Sequence, residues 1–383
     1  MYTFDVATGT PGVTLVPAAA APDAGFGLSV VLDGDDALIG SPLLTSFSDG
    51  PDGPALLFDT TTASQTGVFA RPTDERSLFG WVTALNTDSV LVGAPVGGSA
   101  FRGVVRVLDR ATGALDFELV ADDETNGIGF GLALVATDGV ALVGAPFGSE
   151  EGARGGSAYV FDLDTGVQIA KLRRDTPEIG DDFGWAVALT DSYAIVSGPL
   201  VSTPTESERG AVYVFDLDTG VLLRELVPAD ATAGLRFGES LAVSGSVVLV
   251  GAGGGGPEAD SGSAYAFDLD TGAELIKLVP TDADAGDGFG LSVALEGATA
   301  VVGAPGDDDN GADAGAVYTF DITPACSLSD LVAPFGVVDL GDLDAFIEAF
   351  LVAGALVDFV PPFGIVDLDD LDAFVVASLA GCP

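Results

Sequence analysis

Carboxylates are the chemistry this sequence carries in quantity. It holds 58 Asp and Glu residues against 13 Lys and Arg, and no histidine. Without histidine the commonest general base and the commonest transition-metal ligand are both missing. What remains is a supply of hard oxygen ligands, which suit a cation such as calcium. The densest group is Gly306-Asp307-Asp308-Asp309-Asn310-Gly311-Ala312-Asp313. It partly matches Asp-x-Asp-x-Asp-Gly, so Asp307, Asp309, Asn310 and Asp313 are candidate calcium ligands. The same residues also read as an acidic turn held in water. A second acidic group, Asp282, Asp284 and Asp287, precedes Phe289.

Acid–base catalysis finds less support. A glycoside hydrolase needs two facing carboxylates, and here no acid stands out from the background of acids. The basic residues fall at different points along the chain. Gly253–Gly256 lacks the Lys-Ser/Thr of a phosphate loop. The expectation is a non-catalytic protein, with a polysaccharide-active enzyme as the alternative. A net charge of −45 argues against binding nucleic acid or an anionic membrane surface. No run of about 18 apolar residues suggests a membrane-spanning helix. Apolar residues at 48% are enough for a real core.

The elements that would carry these acids are repeats. Phe-Gly recurs at Phe26, Phe79, Phe130, Phe183, Phe237 and Phe289, at a near-constant interval of just over fifty residues. After each comes a small-residue turn, intact as Gly93-Ala94-Pro95, Gly144-Ala145-Pro146 and Gly303-Ala304-Pro305. A third element ends in Asp, as in Tyr159-Val160-Phe161-Asp162 and Tyr213-Val214-Phe215-Asp216. It commonly runs on into Leu-Asp-Thr-Gly, a turn sequence whose glycine takes positive φ. A short apolar stretch such as residues 274–279 closes the unit. Four short strands per unit, repeated radially, predict a β-propeller, with a linear stack of β repeats as the competitor. Glycine in the inner strands fits blades that crowd closest at the axis. The loops after the Gly-Ala-Pro turns differ in every copy, as expected of a scaffold that presents a recognition surface.

These motifs resemble the FG-GAP repeat family over residues 1–322. The resemblance implies a mainly β fold, a six- or seven-bladed propeller of four-stranded blades. It also implies calcium in loops and a role in adhesion or recognition. The Tyr-x-Phe-Asp type of strand occurs seven times, counting Tyr2-Thr3-Phe4-Asp5, whereas the Phe-Gly strand occurs six times. The chain therefore opens halfway through a repeat, which suggests an upstream half-blade and a secretion signal. The alternative is a six-bladed ring in which Pro11 to Val16 supplies the outer strand of the last blade.

Residues 323–383 break the pattern with a duplication of their own. Pro334-Phe335-Gly336 pairs with Pro362-Phe363-Gly364, Asp339 with Asp367, and Asp342 with Asp370. Each copy ends in an amphipathic helical spacing, with Leu343, Phe346, Ile347 and Phe350 on one face of the first. This small α-helical module resembles a dockerin of the divergent GC type. The resemblance implies a cohesin-like or envelope partner, and makes Asp339, Asp342, Asp367 and Asp370 candidate calcium ligands. The first half of each loop departs from that pattern: Ala333, Phe335, Pro361 and Phe363 offer no side-chain oxygen. Cys326 and Cys382 bracket the module and suggest a disulfide, hence an oxidising compartment. The combined expectation is a secreted or cell-surface protein whose propeller loops bind a protein or glycan and whose tail attaches or sorts it.

Overall fold

The computed structural model describes residues 1–322, apart from 7, 20–24, 43–52, 71–76, 99–101, 124–128, 149–154, 255–260, 283, 310, 312 and 313. The chain divides into two units, Met1–Phe320 and Asp321–Pro383. The duplicated module, with Asp339, Asp342, Asp367, Asp370, Cys326 and Cys382, lies outside the described residues.

The first unit is a six-bladed β-propeller. Blades 1 to 5 are antiparallel four-stranded sheets over residues 30–69, 82–119, 133–172, 187–226 and 240–278. Blade 6, residues 292–321, has three strands among the described residues. In each blade the strands follow one another in sheet order, so every connection is a hairpin. The Phe-Gly motif leads into the innermost strand, and Gly-Ala-Pro ends the second. The Tyr-x-Phe-Asp type of segment is the third strand. No helix occurs among the described residues.

Local chemistry explains the regularity. In blade 3, Asp162 accepts from the Thr165 amide (2.7 Å) and hydroxyl (2.6 Å), which folds the turn between the third and outer strands. Asp216–Thr219 and Asp268–Thr271 repeat it. Second and third strands pair over six residues, from Val140↔Asp162 to Ala145↔Ser157. Both are nearly continuous apolar runs because both faces are covered by neighbouring blades. The motif phenylalanines are the buried pegs of this packing. Phe183, for instance, packs edge-on against Phe215 at 6.0 Å between ring centroids. The Gly-Ala-Pro glycine is a steric requirement. A Cβ on Gly93 or Gly144 would overlap the carbonyl oxygen of the next blade's Phe-Gly glycine, Gly131 or Gly184.

A separate two-stranded sheet stands before blade 1: β1 (Tyr2–Phe4) and β2 (Pro11–Thr14). β2 pairs with β1, so Pro11–Val16 does not close the last blade, as one sequence alternative had it. Its Leu15 is buried in a cluster with Ile39, Leu56 and Phe58 of blade 1.

Candidate metal centre and recognition face

The acids singled out around residue 307 gather with the acids before Phe289, because the loop after one outer strand abuts the loop after the next Gly-Ala-Pro. One carboxylate oxygen each from Asp284, Asp308 and Asp309 lies within 4.8 Å of the others. All three residues are exposed. Asp307 does not join them. It is 3% exposed, and its oxygens accept from the Tyr318 hydroxyl at 2.8 Å and the Asp309 amide at 3.3 Å. Asp282 also accepts from Tyr318, at 3.1 Å. Asp287 is buried and accepts from the Asp284 amide at 2.8 Å. Asn310 and Asp313 lie outside the described residues.

The electrostatics of this corner are one-sided. Among the described residues no ion pair involves Asp282, Asp284, Asp287, Asp307, Asp308 or Asp309. The charge of Asp307, with burial and the charges of Asp282, Asp284 and Asp287, pushes the Asp309 carboxyl above its ordinary range. Burial and the hydrogen bonds to Asp307 and Asp282 push the Tyr318 phenol up as well. Three converging carboxylates with no basic residue to neutralise them suit a hard divalent cation bound through oxygen.

A second feature was not legible as a site in the sequence. Both tryptophans of the chain, Trp81 and Trp185, line one cavity of about 290 Å³. Leu78, Val96, Leu132 and Phe147 complete most of its wall. Trp81, Leu132 and Trp185 each follow a Phe-Gly pair directly, at the start of the innermost strands of blades 2, 3 and 4. Val96 and Phe147 open the variable loops after Gly-Ala-Pro. The pocket thus joins the conserved strand starts to the loops that vary. Among the described residues its lining has no titratable group, and Trp185 remains 37% exposed. The signal that could have found it was positional: a tryptophan at the same repeat position in two copies.

Neighbouring this pocket, Asp182 holds a left-handed backbone (φ 53°) and accepts from the Trp185 amide at 3.1 Å through its carbonyl. Burial, reinforced by the charge of Asp181, raises its carboxyl to about 6.

No curated protein matches the chain at a significant level. Three consecutive segments, residues 167–215, 222–267 and 273–320, match the family model of the FG-GAP repeat. Each segment starts at or beside the outer strand of one blade and ends within the third strand of the next, so the matched unit straddles a blade boundary. Residues 1–322 thus form a six-bladed β-propeller, and three segments between residues 167 and 320 match the FG-GAP repeat.

Proposed function

We propose that the protein is a non-catalytic recognition module of the cell surface or extracellular space. The propeller binds a protein or glycan ligand on the face that carries Trp81, Trp185 and Phe147. The observation that carries this reading is the convergence of both tryptophans on one apolar pocket bordered by the variable loops. Aromatic faces of this kind stack on sugar rings or accept apolar side chains, and large apolar surface left open on a soluble protein marks a contact site. Calcium held by Asp284, Asp308 and Asp309 braces the loops of blade 6. Residues 323–383 attach or sort the protein.

Tryptophan emission reports directly on the pocket. Titration with a panel of neutral and acidic oligosaccharides, and with secreted proteins of the native envelope, is expected to shift the emission for at least one ligand. Trp185→Ala would abolish that response while leaving the fold intact. A panel that calorimetry shows binding equally well to the Trp81→Ala/Trp185→Ala chain would place the recognition surface elsewhere.

A further inference from the structure

Aromatic rings inside the blades are engaged, and those of the Trp81–Trp185 pocket are not. Phe130, Phe183, Phe237 and Phe289 each pack against two rings of their own blade's third strand. Tyr159, Tyr213 and Tyr265 each carry a cation over the ring: Lys171 at 5.3 Å, Arg174 at 5.7 Å and Lys277 at 5.2 Å from the centroid. Among the described residues no ring pair and no cation–π contact involves Trp81, Phe147 or Trp185. Phe147 and Trp185 are partly exposed, so aromatic surface with no ring or cation of its own faces solvent.

The chemistry of the wall narrows what can enter. Among the described residues no lining side chain accepts a hydrogen bond, and only the two indole N–H groups donate. A sugar ring would bury hydroxyls without partners there, and a lysine or arginine head would give up its water unrepaid. At about 290 Å³ the cavity lies at the lower edge of the range for small-molecule sites, which suits a head group and not a stretch of chain. Charge complementarity favours a cation. No described lining residue is basic. Asp182 borders the pocket at the repeat position that Leu78 and Gly129 fill in the wall, one residue before the motif phenylalanine. Among the described residues its carboxyl is in no ion pair. The net charge of −45 draws cations to the whole surface.

We propose that the pocket holds a trimethylammonium group of the recognised ligand, a specificity that rests on the function proposed above. Such a group is a cation sheathed in methyls, and it needs no hydrogen bond. Its charge is attracted by the electron-rich faces of Trp81, Trp185 and Phe147, most strongly once it is desolvated. Its methyls bury apolar surface among Leu78, Val96 and Leu132. The same wall rejects a bare ammonium, whose three donors would meet no side-chain acceptor. A neutral group of the same shape keeps the apolar contact and loses the attraction to the rings.

The test titrates the full chain with choline by calorimetry at constant ionic strength. Saturable binding near about 1 mM is expected, with the neutral tert-butyl isostere and unmethylated ethanolamine each at least about tenfold weaker. Trp185→Leu, at a partly exposed position, should weaken choline binding at least about tenfold without lowering the melting temperature, and Trp185→Phe should restore most of it. Phosphocholine and a peptide bearing Nε-trimethyl-lysine separate a head group from a side chain as the source, and the tighter binder names it. An isostere that binds as well as choline would reduce the site to an apolar pocket and overturn the proposal. No saturable heat at about 50 mM choline overturns it too. Oligosaccharides that shift tryptophan emission while choline does not bind would overturn this proposal and leave the recognition function standing. Choline binding that no larger ligand accompanies would support the proposal and remove that function.

Discussion

Blades 4 and 6 share one strand pattern and differ in what surrounds it. Two residues before the motif phenylalanine, Asp181 of blade 4 and Asp287 of blade 6 are both buried. Both accept an amide three residues upstream, Glu178 at 2.7 Å and Asp284 at 2.8 Å. In blade 4 the charge is met by Arg174, which pairs with Asp181 and lies over the Tyr213 ring. In blade 6 the position of Arg174 is taken by Pro280, and the position of apolar Val201 by Asp307. The same fold thus carries an internally neutralised corner and an uncompensated one. Their packing differs as well: the third strand of blade 4 is covered on both faces, and that of blade 6 on one. A repeat fixes the backbone, while its neighbours decide burial and charge balance.

The largest predicted effect tests the packing half of this contrast. Val212→Asp places a carboxylate between two blades, and should cost at least about 3 kcal/mol in chemical denaturation. Val317→Asp, at the same repeat position, should stay within about 0.5 kcal/mol of the parent. Equal losses would mean that the blade 6 face is covered in solution.

Next in size is the charge half. Arg174→Ala strands Asp181 in the interior and should destabilise by about 3 kcal/mol at neutral pH. Chemical denaturation beside Arg174→Lys, which keeps the charge, measures it. A lysine variant as unstable as the alanine variant would assign the arginine a packing role only.

Calcium sharpens the comparison from the other side. At ten times its dissociation constant it should stabilise the chain by about 1.4 kcal/mol, through binding to the folded state alone. Calorimetric titration should lose this heat in Asp284→Asn/Asp309→Asn. Affinity should fall with acidity, because the Asp309 carboxyl, raised chiefly by the charge of Asp307, takes up a proton more readily than an ordinary carboxylate. A double variant that binds calcium unchanged would remove the site.

The smallest effect concerns Asp182. Its carboxyl, lifted by burial to about 6, is raised above the unfolded value. The stability it contributes is therefore full below the ordinary carboxylate range and is lost as pH rises through about 6. Asp182→Asn, which tolerates the left-handed backbone, should flatten that slope and leave the melting temperature higher than the parent at pH 7 than at pH 4. A parallel pH profile in the variant would show that the group stays solvated.

Much of the framework was legible because it is local and repeated. The Asp-Thr turn at Asp162 and Thr165 needs four residues and two hydrogen bonds, so sequence spacing specifies it. The apolar second strands and the inner glycines were equally readable, since each copy meets the same neighbour. The candidate metal centre was half legible. Asp309 was visible within its own loop. Its company with Asp284 was not, because that contact joins two loops whose approach depends on how strands of different length end. Trp81 and Trp185 lie two repeats apart, and only blade curvature around the axis brings them to one pocket. β1 and β2 read as third and outer strands from their residues, but their pairing with each other and not with blade 6 did not.

The sequence by itself determined the repeat, the strand order within a blade and the turn chemistry. These rest on interactions within a few residues, which a one-dimensional pattern records. The tertiary structure decided which faces are covered, which acids share a corner and where the tryptophans meet. Those depend on long-range packing, where residues with identical local surroundings acquire different neighbours.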